Sequence, residues 1–325
     1  MGTNNHSSLA VTRYVNRFFL STSPQTSPLQ LTNPYEVRRK ILLLKIRAAP
    51  GEDRIKPLML RHLSKKALTF LTQIFNYLLQ MGYFPYSWKR AAVIPIAKPN
   101  KPPMDPNSYR PTSLLSIVGK LFERITASRL TAYVNHQHLL PHEQFGFRKK
   151  HSTVSQLARI SDYISNGYNL HKHTGMVSLD IEKAYDTAWI YGLMYKLIFL
   201  KIPTYLIFIL RAFVEGRSFT VRLNDAFSTP KNTLSGLPQG AALSTTFFAI
   251  YISDMPHPPN TQMALYADDT ALLEHSWWTD TIARRLTHAM TLLHRYFTKW
   301  KLGVNVNKTV AILFTKRRPA TPPPL

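Results

Sequence analysis

The sequence contains no cysteine. That absence removes disulfide frameworks, zinc fingers, zinc knuckles and thiol nucleophiles together, and it leaves oxygen and imidazole as the donors for any metal. It fits a reducing compartment. Acids are also scarce: 17 Asp+Glu stand against 41 Lys+Arg in 325 residues, a formal net charge of +24. Such an excess excludes an ordinary acidic or neutral cytosolic enzyme and points to a polyanionic partner, nucleic acid ahead of anionic membrane. Long apolar runs are missing too. The most apolar stretch, 193–210, carries Lys196, Lys201 and Pro203, which predicts two buried helices broken at the proline rather than a membrane span. A myristoylation signal is absent, because His6 stands where Ser or Thr is needed. There is no internal repeat.

What is present is a globular composition, 45% hydrophobic and 12% aromatic, enough for one large or two modest domains with real cores. Residues 1–35 hold no acid, two arginines (Arg13, Arg17) and many Ser/Thr. That composition overlaps mitochondrial presequences, and the expectation here is a disordered leader. From Glu36 a helical pattern runs through Ile41, Leu42, Leu44 and Ile46 into the loop at 49–53, and a second amphipathic run follows over 58–81. The strand-like 91–97 precedes a proline-dense block, 98–107, that reads as a turn between strands. Residues 317–325 form a Pro-rich tail.

Beyond residue 170 the pattern predicts a buried strand at 176–179, a helix at 182–200, and a strand at 219–223 with a partner near 229–234. A helix at 241–253, a hairpin at 262–273, a helix at 279–301 and a strand at 309–314 complete it. Strands and helices in this order suggest an α+β sheet of the split βαβ type, covered on one face by helices.

The few acids carry the chemical signal. Asp268 and Asp269 sit side by side within an apolar hairpin. Taken alone, the pair is readable as a solvated turn. Asp180, however, ends the strand 176–179 and begins the segment carrying Glu182 and Asp186; if the two strands are neighbours, the carboxylates converge. Two such charges about 4 Å apart repel by roughly 4 kcal/mol at an effective dielectric near 20, so the cluster requires protons or a divalent cation. Oxygen-only donors favour Mg²⁺, which also binds substrate phosphates. Two ions about 3.5–4 Å apart support in-line displacement at phosphorus. Metal-binding acids on a basic chain indicate a polymerase or nuclease. Arg148, Lys149 and Lys150 form a basic run just before a helix starting near Ser152 or Thr153, a placement suited to phosphate and also readable as a solvated loop. The 12 histidines show no metal-ligand spacing near the acids.

The string Tyr266-Ala267-Asp268-Asp269, with Leu179-Asp180-Ile181-Glu182-Lys183-Ala184-Tyr185-Asp186 upstream and Gly236-Leu237-Pro238-Gln239-Gly240 between, resembles the reverse transcriptases of non-LTR retrotransposons, most closely the jockey group. The likeness extends through Tyr109-Arg110-Pro111-Thr112-Ser113-Leu114-Leu115, through Gln144-Phe145-Gly146-Phe147-Arg148-Lys149-Lys150-His151-Ser152-Thr153, and through Asn305-Val306-Asn307-Lys308-Thr309. It covers about 36–316. The resemblance implies right-hand polymerase fingers (91–175) and palm (176–316), preceded by a helical extension of the fingers (36–90).

It also implies roles. Asp180, Asp268 and Asp269 are expected as catalytic metal ligands for two Mg²⁺ ions, with Mn²⁺ as a substitute. Tyr185 is expected under the incoming sugar, excluding a 2′-hydroxyl. Gln239 and Gly240 are expected at the nucleotide, with Arg148, Lys149, Lys308 and Arg110 on triphosphate and template. The implied partners are an RNA template, a DNA primer and dNTPs, with no membrane. The implied location is nuclear or cytoplasmic, as a ribonucleoprotein.

The same resemblance leads one to expect an endonuclease domain upstream and a helical thumb downstream, neither within these 325 residues, as in a truncated element copy. Thr112 and 241–245 depart from the family pattern without removing a metal ligand. A catalytically silent nucleic-acid-binding remnant is the alternative from another class. A group II intron maturase is a third, and it requires an RNA-binding region after the polymerase.

Overall fold

The computed structural model describes residues 3–99, 102, 104–105, 108–148, 150–224, 226–233, 235–238 and 240–316. The chain separates into two compact units, each discontinuous in sequence. One comprises Val15–Tyr133 with Leu197–Ser244, the other Met1–Tyr14 with Val134–Lys196 and Thr245–Leu325. The contiguous 91–175 and 176–316 segments expected for fingers and palm do not coincide with these units. The reason is a strand pairing that ties 217–223 to 90–93.

In the Val15–Tyr133 unit, α2 (Pro34–Leu42), α3 (Pro57–Arg61), α4 (Lys65–Met81) and the short α5 (Tyr86–Lys89) come before the first strand. Asn33 caps α2 through its side chain, with proline at the first helical position, and Ser64 caps α4. The 58–81 run is therefore two helices, because the α4 cap at Ser64 interrupts it. The strands β1 (Arg90–Ala97) and β2 (Tyr109–Leu114) pair antiparallel from Ala92 opposite Leu114 to Ala97 opposite Tyr109. The proline-dense block is thus a turn between strands; its residues 100, 101, 103, 106 and 107 lie outside the described residues. Next come α6 (Ile117–His136) and α10 (Thr204–Val214). β4 (Arg217–Leu223) runs parallel to β1, with β5 (Ala226–Phe227) and β6 (Lys231–Thr233) antiparallel to β4. Phe75, Phe84 and Phe122 form the centre of this core, with ring centroids 5.3 Å and 5.6 Å from Phe122.

The expected disordered leader is helical: α1 spans Thr3–Ser21. Val15 is buried, and four residues on Phe19 meets Phe208 edge-to-face at 5.0 Å with the Arg211 guanidinium over its ring. Apolar residues at i and i+4 share one helix face, which a composition argument about Ser and Thr does not register. The tail at 317–325 lies outside the described residues.

In the other unit, β3 (His173–Glu182), β7 (Gln262–Tyr266), β8 (Asp269–Ser276) and β10 (Val310–Phe314) form an antiparallel sheet in the order β10-β3-β8-β7. Numbered from β3, that is 4-1-3-2, the split βαβ order expected. Gly175 in β3 brings its backbone against Ile282 and Leu286 of α12 (Thr279–Lys299); a Cβ there would lie 2.4 Å from Ile282. The opposite face is not bare as expected. Gly167 of α7 (Thr153–Asn169) abuts Thr174, and Tyr163 stacks on His275 at 4.6 Å. The predicted helix 182–200 is also divided. β3 continues to Glu182, Lys183 takes a positive φ, and α8 (Ala184–Thr187) is separated from α9 (Ile190–Phe199) by Ala188 and Trp189. The apolar stretch 193–210 is divided at Pro203 as predicted: α9 ends at Phe199, and Pro203 is the N-cap of α10. No described helix is long and apolar enough to cross a membrane.

Candidate active site

β3 and β8 pair from His173 opposite Ser276 to Asp180 opposite Asp269. Residues directly opposite in an antiparallel ladder carry their Cβ atoms about 4.5–5.5 Å apart on one face, so the register itself brings two carboxylates together. Asp268 enters through the hairpin. Tyr266 pairs with Asp269, which leaves Ala267 and Asp268 as a two-residue loop, and Ala267 holds φ at +60°, a conformation that favours glycine.

The third approach to Asp180 is from β9 (Gly303–Val304), which pairs with Ile181 and Glu182. The Asn305 N–H donates to the Asp180 carbonyl at 2.8 Å. A short 3₁₀ turn, Val306–Lys308, then delivers the Lys308 ammonium to the Asp180 carboxylate at 3.2 Å. Partial burial, followed by the charges of Asp268 and Asp180, holds the Asp269 carboxyl above the usual carboxylate range, while Lys308 pulls it down. The three acids therefore share one electrostatic site.

Tyr185 belongs to the same unit. Its ring lies 5.3 Å from that of Phe248, and its buried hydroxyl has no hydrogen-bond partner among the described residues. Burial and the Asp268 charge push the phenol up to about 12, so it stays neutral at any physiological pH.

The donor set is carboxylate oxygen alone, which suits a hard divalent ion by chemistry. Among the described residues no three His, Asp or Glu side chains stand arranged as a ready ligand group. The cation paired with Asp180 is Lys308, on one oxygen of the carboxylate.

Arg148 donates to the Pro141 carbonyl at 3.0 Å and is a brace for its own loop. Lys149 and Gln239 lie outside the described residues, as does the side chain of Arg110, whose backbone pairs with Ile96 in the other unit. Gly240, also in that unit, has φ +81° with open space around its Cβ position. The loop preceding it is braced there by Arg217, which donates to the Gly236 carbonyl at 3.0 Å, and by Ser244, whose hydroxyl donates to the Pro238 carbonyl at 2.7 Å.

Sequence reasoning passed over two residues. Glu123 of α6, 3% exposed, accepts the Leu243 N–H at 2.9 Å at the start of α11 (Ala242–Tyr251). Burial raises its carboxyl to about 7. Gln144, fully buried, accepts backbone N–H groups from Gly146 and Ala267. Neither has a local sequence signal, because each partner is distant or is backbone. The unit containing β1 also carries a cavity of about 1130 Å³ lined by Arg54, Lys56, Arg90 and Arg222, with Glu52 paired to Arg90 at 3.2 Å.

A family model described as reverse transcriptase (RNA-dependent DNA polymerase) matches residues 96–321. The chain is 35% identical over 303 residues to a probable RNA-directed DNA polymerase from transposon X-element of Drosophila melanogaster, covering 92% of this chain and 33% of that protein. It is 34% identical over 326 residues to the RNA-directed DNA polymerase from mobile element jockey of the same species, covering 98% of this chain and 36% of the relative. The chain spans about a third of the length of these relatives. Among solved structures, telomerase from Candida albicans with a fragment of telomeric RNA shares the fold, with a TM-score of 0.50 at 14% identity over 69% of this chain and 43% of that one. By its strand order, its paired aspartates and the family match over most of its length, the chain belongs to the reverse transcriptase family, similar there to the jockey-like polymerases of non-LTR retrotransposons.

Proposed function

We propose that this chain carries the polymerase centre of an RNA-directed DNA polymerase, extending a DNA primer on an RNA template. The observation that carries the reading is Asp180 in direct cross-strand register with Asp269, with Asp268 on the adjoining turn. In the proposed reaction the primer 3′-hydroxyl attacks the α-phosphorus of a dNTP, the new P–O bond forms, and pyrophosphate leaves. When bound, a pair of Mg²⁺ ions supplies charge stabilisation at the attacking and leaving oxygens. Asp180 and Asp268 hold that charge in place, and Asp269 adds the third carboxylate. Lys308, paired with Asp180 in the structure, would be the cation available to the triphosphate. The neutral Tyr185 ring, backed by Phe248, would be the group that excludes a 2′-hydroxyl. The excess of Lys and Arg and the basic cavity support a phosphate-backbone partner.

Primer extension on an RNA template with Mg²⁺ tests this. The wild-type chain is expected to extend and Asp268→Asn to lose activity by at least about 100-fold, the order expected when transition-state charge stabilisation is removed. Equal background from both refutes the proposal. Salt-sensitive RNA binding with no extension selects the silent nucleic-acid-binding remnant instead.

A further inference from the structure

The turn that carries Asp268 is held from outside the sheet. β7 is the edge strand of its sheet, and residues 143–146 lie along its free side. The Leu265 N–H donates to the Glu143 carbonyl at 3.1 Å, and the Phe145 N–H donates to the Leu265 carbonyl at 2.9 Å. Gln156 of α7 adds its side-chain amide, donating to both of those carbonyls at 3.1 and 3.2 Å. These contacts end at Leu265, two residues short of the turn. What continues to the turn is one atom: Oε1 of Gln144 accepts the Gly146 N–H at 2.8 Å and the Ala267 N–H at 3.1 Å.

Ala267 is the residue whose positive φ aims Asp268. In a hairpin loop of two residues its N–H has no ladder partner. Gly146 is pressed so close that a Cβ would lie 2.2 Å from the Ala267 nitrogen. The loop and the turn thus share a single acceptor oxygen across a contact that admits only glycine.

We propose that Gln144 is a positioning residue for the polymerase centre: with Gly146 it latches the Ala267–Asp268 turn and thereby sets where the Asp268 carboxylate stands. This rests on the assignment of Asp268 as a metal-binding acid. A purely structural role for Gln144 predicts loss of stability alone. The latch predicts a selective loss of metal binding and turnover, because small misplacement of a ligand is enough to weaken a site whose remaining groups are intact.

The test uses Gln144→Met, which keeps the volume and removes the acceptor. Backbone amide exchange at Ala267 is expected to be slow in the wild type and at least about 10-fold faster in the variant, while Leu265, held by Glu143, is unchanged. Mn²⁺ affinity, read by electron paramagnetic resonance, is expected to fall by about 10–100-fold. In primer extension kcat falls by a similar factor, with KM for dNTP within about twofold. Wild-type exchange and Mn²⁺ affinity in a folded Gln144→Met protein overturn the latch, as does fast Ala267 exchange in the wild type. If Gln144→Met fails to fold, Gly146→Ala decides: its Cβ drives Ala267 off position, so an unchanged Mn²⁺ affinity there overturns the proposal. Should the wild type bind no Mn²⁺ through Asp268, the polymerase reading fails while the exchange data still decide the latch.

Discussion

Replacing Glu123 by glutamine changes stability with a pH dependence that follows from burial. The carboxyl is 3% exposed at the start of α11, and its proton affinity in the folded chain is raised from 4.5 to about 7. Desolvation is the largest cause, opposed by the Leu243 and Ala242 N–H groups and by Arg124 and Lys120. Below pH 4.5 both folded and unfolded chains keep the proton. As pH rises from 4.5 to 7 the unfolded chain releases it while the folded chain retains it, so stability falls across that window and the loss is complete above 7. The shift corresponds to about 3 kcal/mol. Glutamine keeps the acceptor oxygen for Leu243 and has no charge to desolvate.

The variant is therefore expected to match the wild type near pH 4.5 and to exceed it by about 3 kcal/mol near pH 8. Urea unfolding at the two pH values measures this, and the difference between the two proteins cancels the titration of every other group. Parallel pH profiles for wild type and variant would falsify the burial argument, since they require a carboxylate ionised at no cost. Glu123→Ala serves as control: it loses the helix cap at every pH, about 1 kcal/mol or more.

Two further expectations concern the acidic centre. Lys308→Met removes the cation paired with Asp180 and the charge that lowers Asp269, so without nucleotide Mn²⁺ should bind more tightly, while KM for dNTP should rise. Unchanged Mn²⁺ affinity and unchanged KM would separate Lys308 from this site. At Tyr185 the ring and the hydroxyl are separable: because the hydroxyl has no partner among the described residues, Tyr185→Phe should keep sugar selectivity, whereas Tyr185→Ala should raise ribonucleotide incorporation by about 10-fold or more, on the order of 1.4 kcal/mol of lost discrimination. Equal selectivity in both variants would remove Tyr185 from the sugar.

Much of the centre was legible because its signals are local. Asp180 follows the apolar run 176–179 and Asp268-Asp269 interrupts an apolar hairpin, and charge in such places is readable without coordinates. The split βαβ order likewise followed from alternating periodicities. The helix α1 was missed because its anchors, Val15 and Phe19, are sparse among Ser, Thr and Asn, and the partners of Phe19, Phe208 and Arg211, are nearly two hundred residues away. The break inside 182–200 was missed because the residues at the break, Lys183 with its positive φ and Ala188-Trp189, include no glycine or proline to mark it.

The sequence by itself determined the basic charge balance, the lack of thiolate donors and which acids interrupt apolar segments, since these depend on which side chains exist and on spacing along the chain. Only the tertiary structure decided that Asp180 faces Asp269 rather than Asp268, that Lys308 neutralises Asp180, that Glu123 is buried at the start of α11, and that Gln144 holds the turn. Each of these is a contact between segments far apart in sequence. Strand register and backbone hydrogen bonding decide them, and neither leaves a mark in the residues on one side alone.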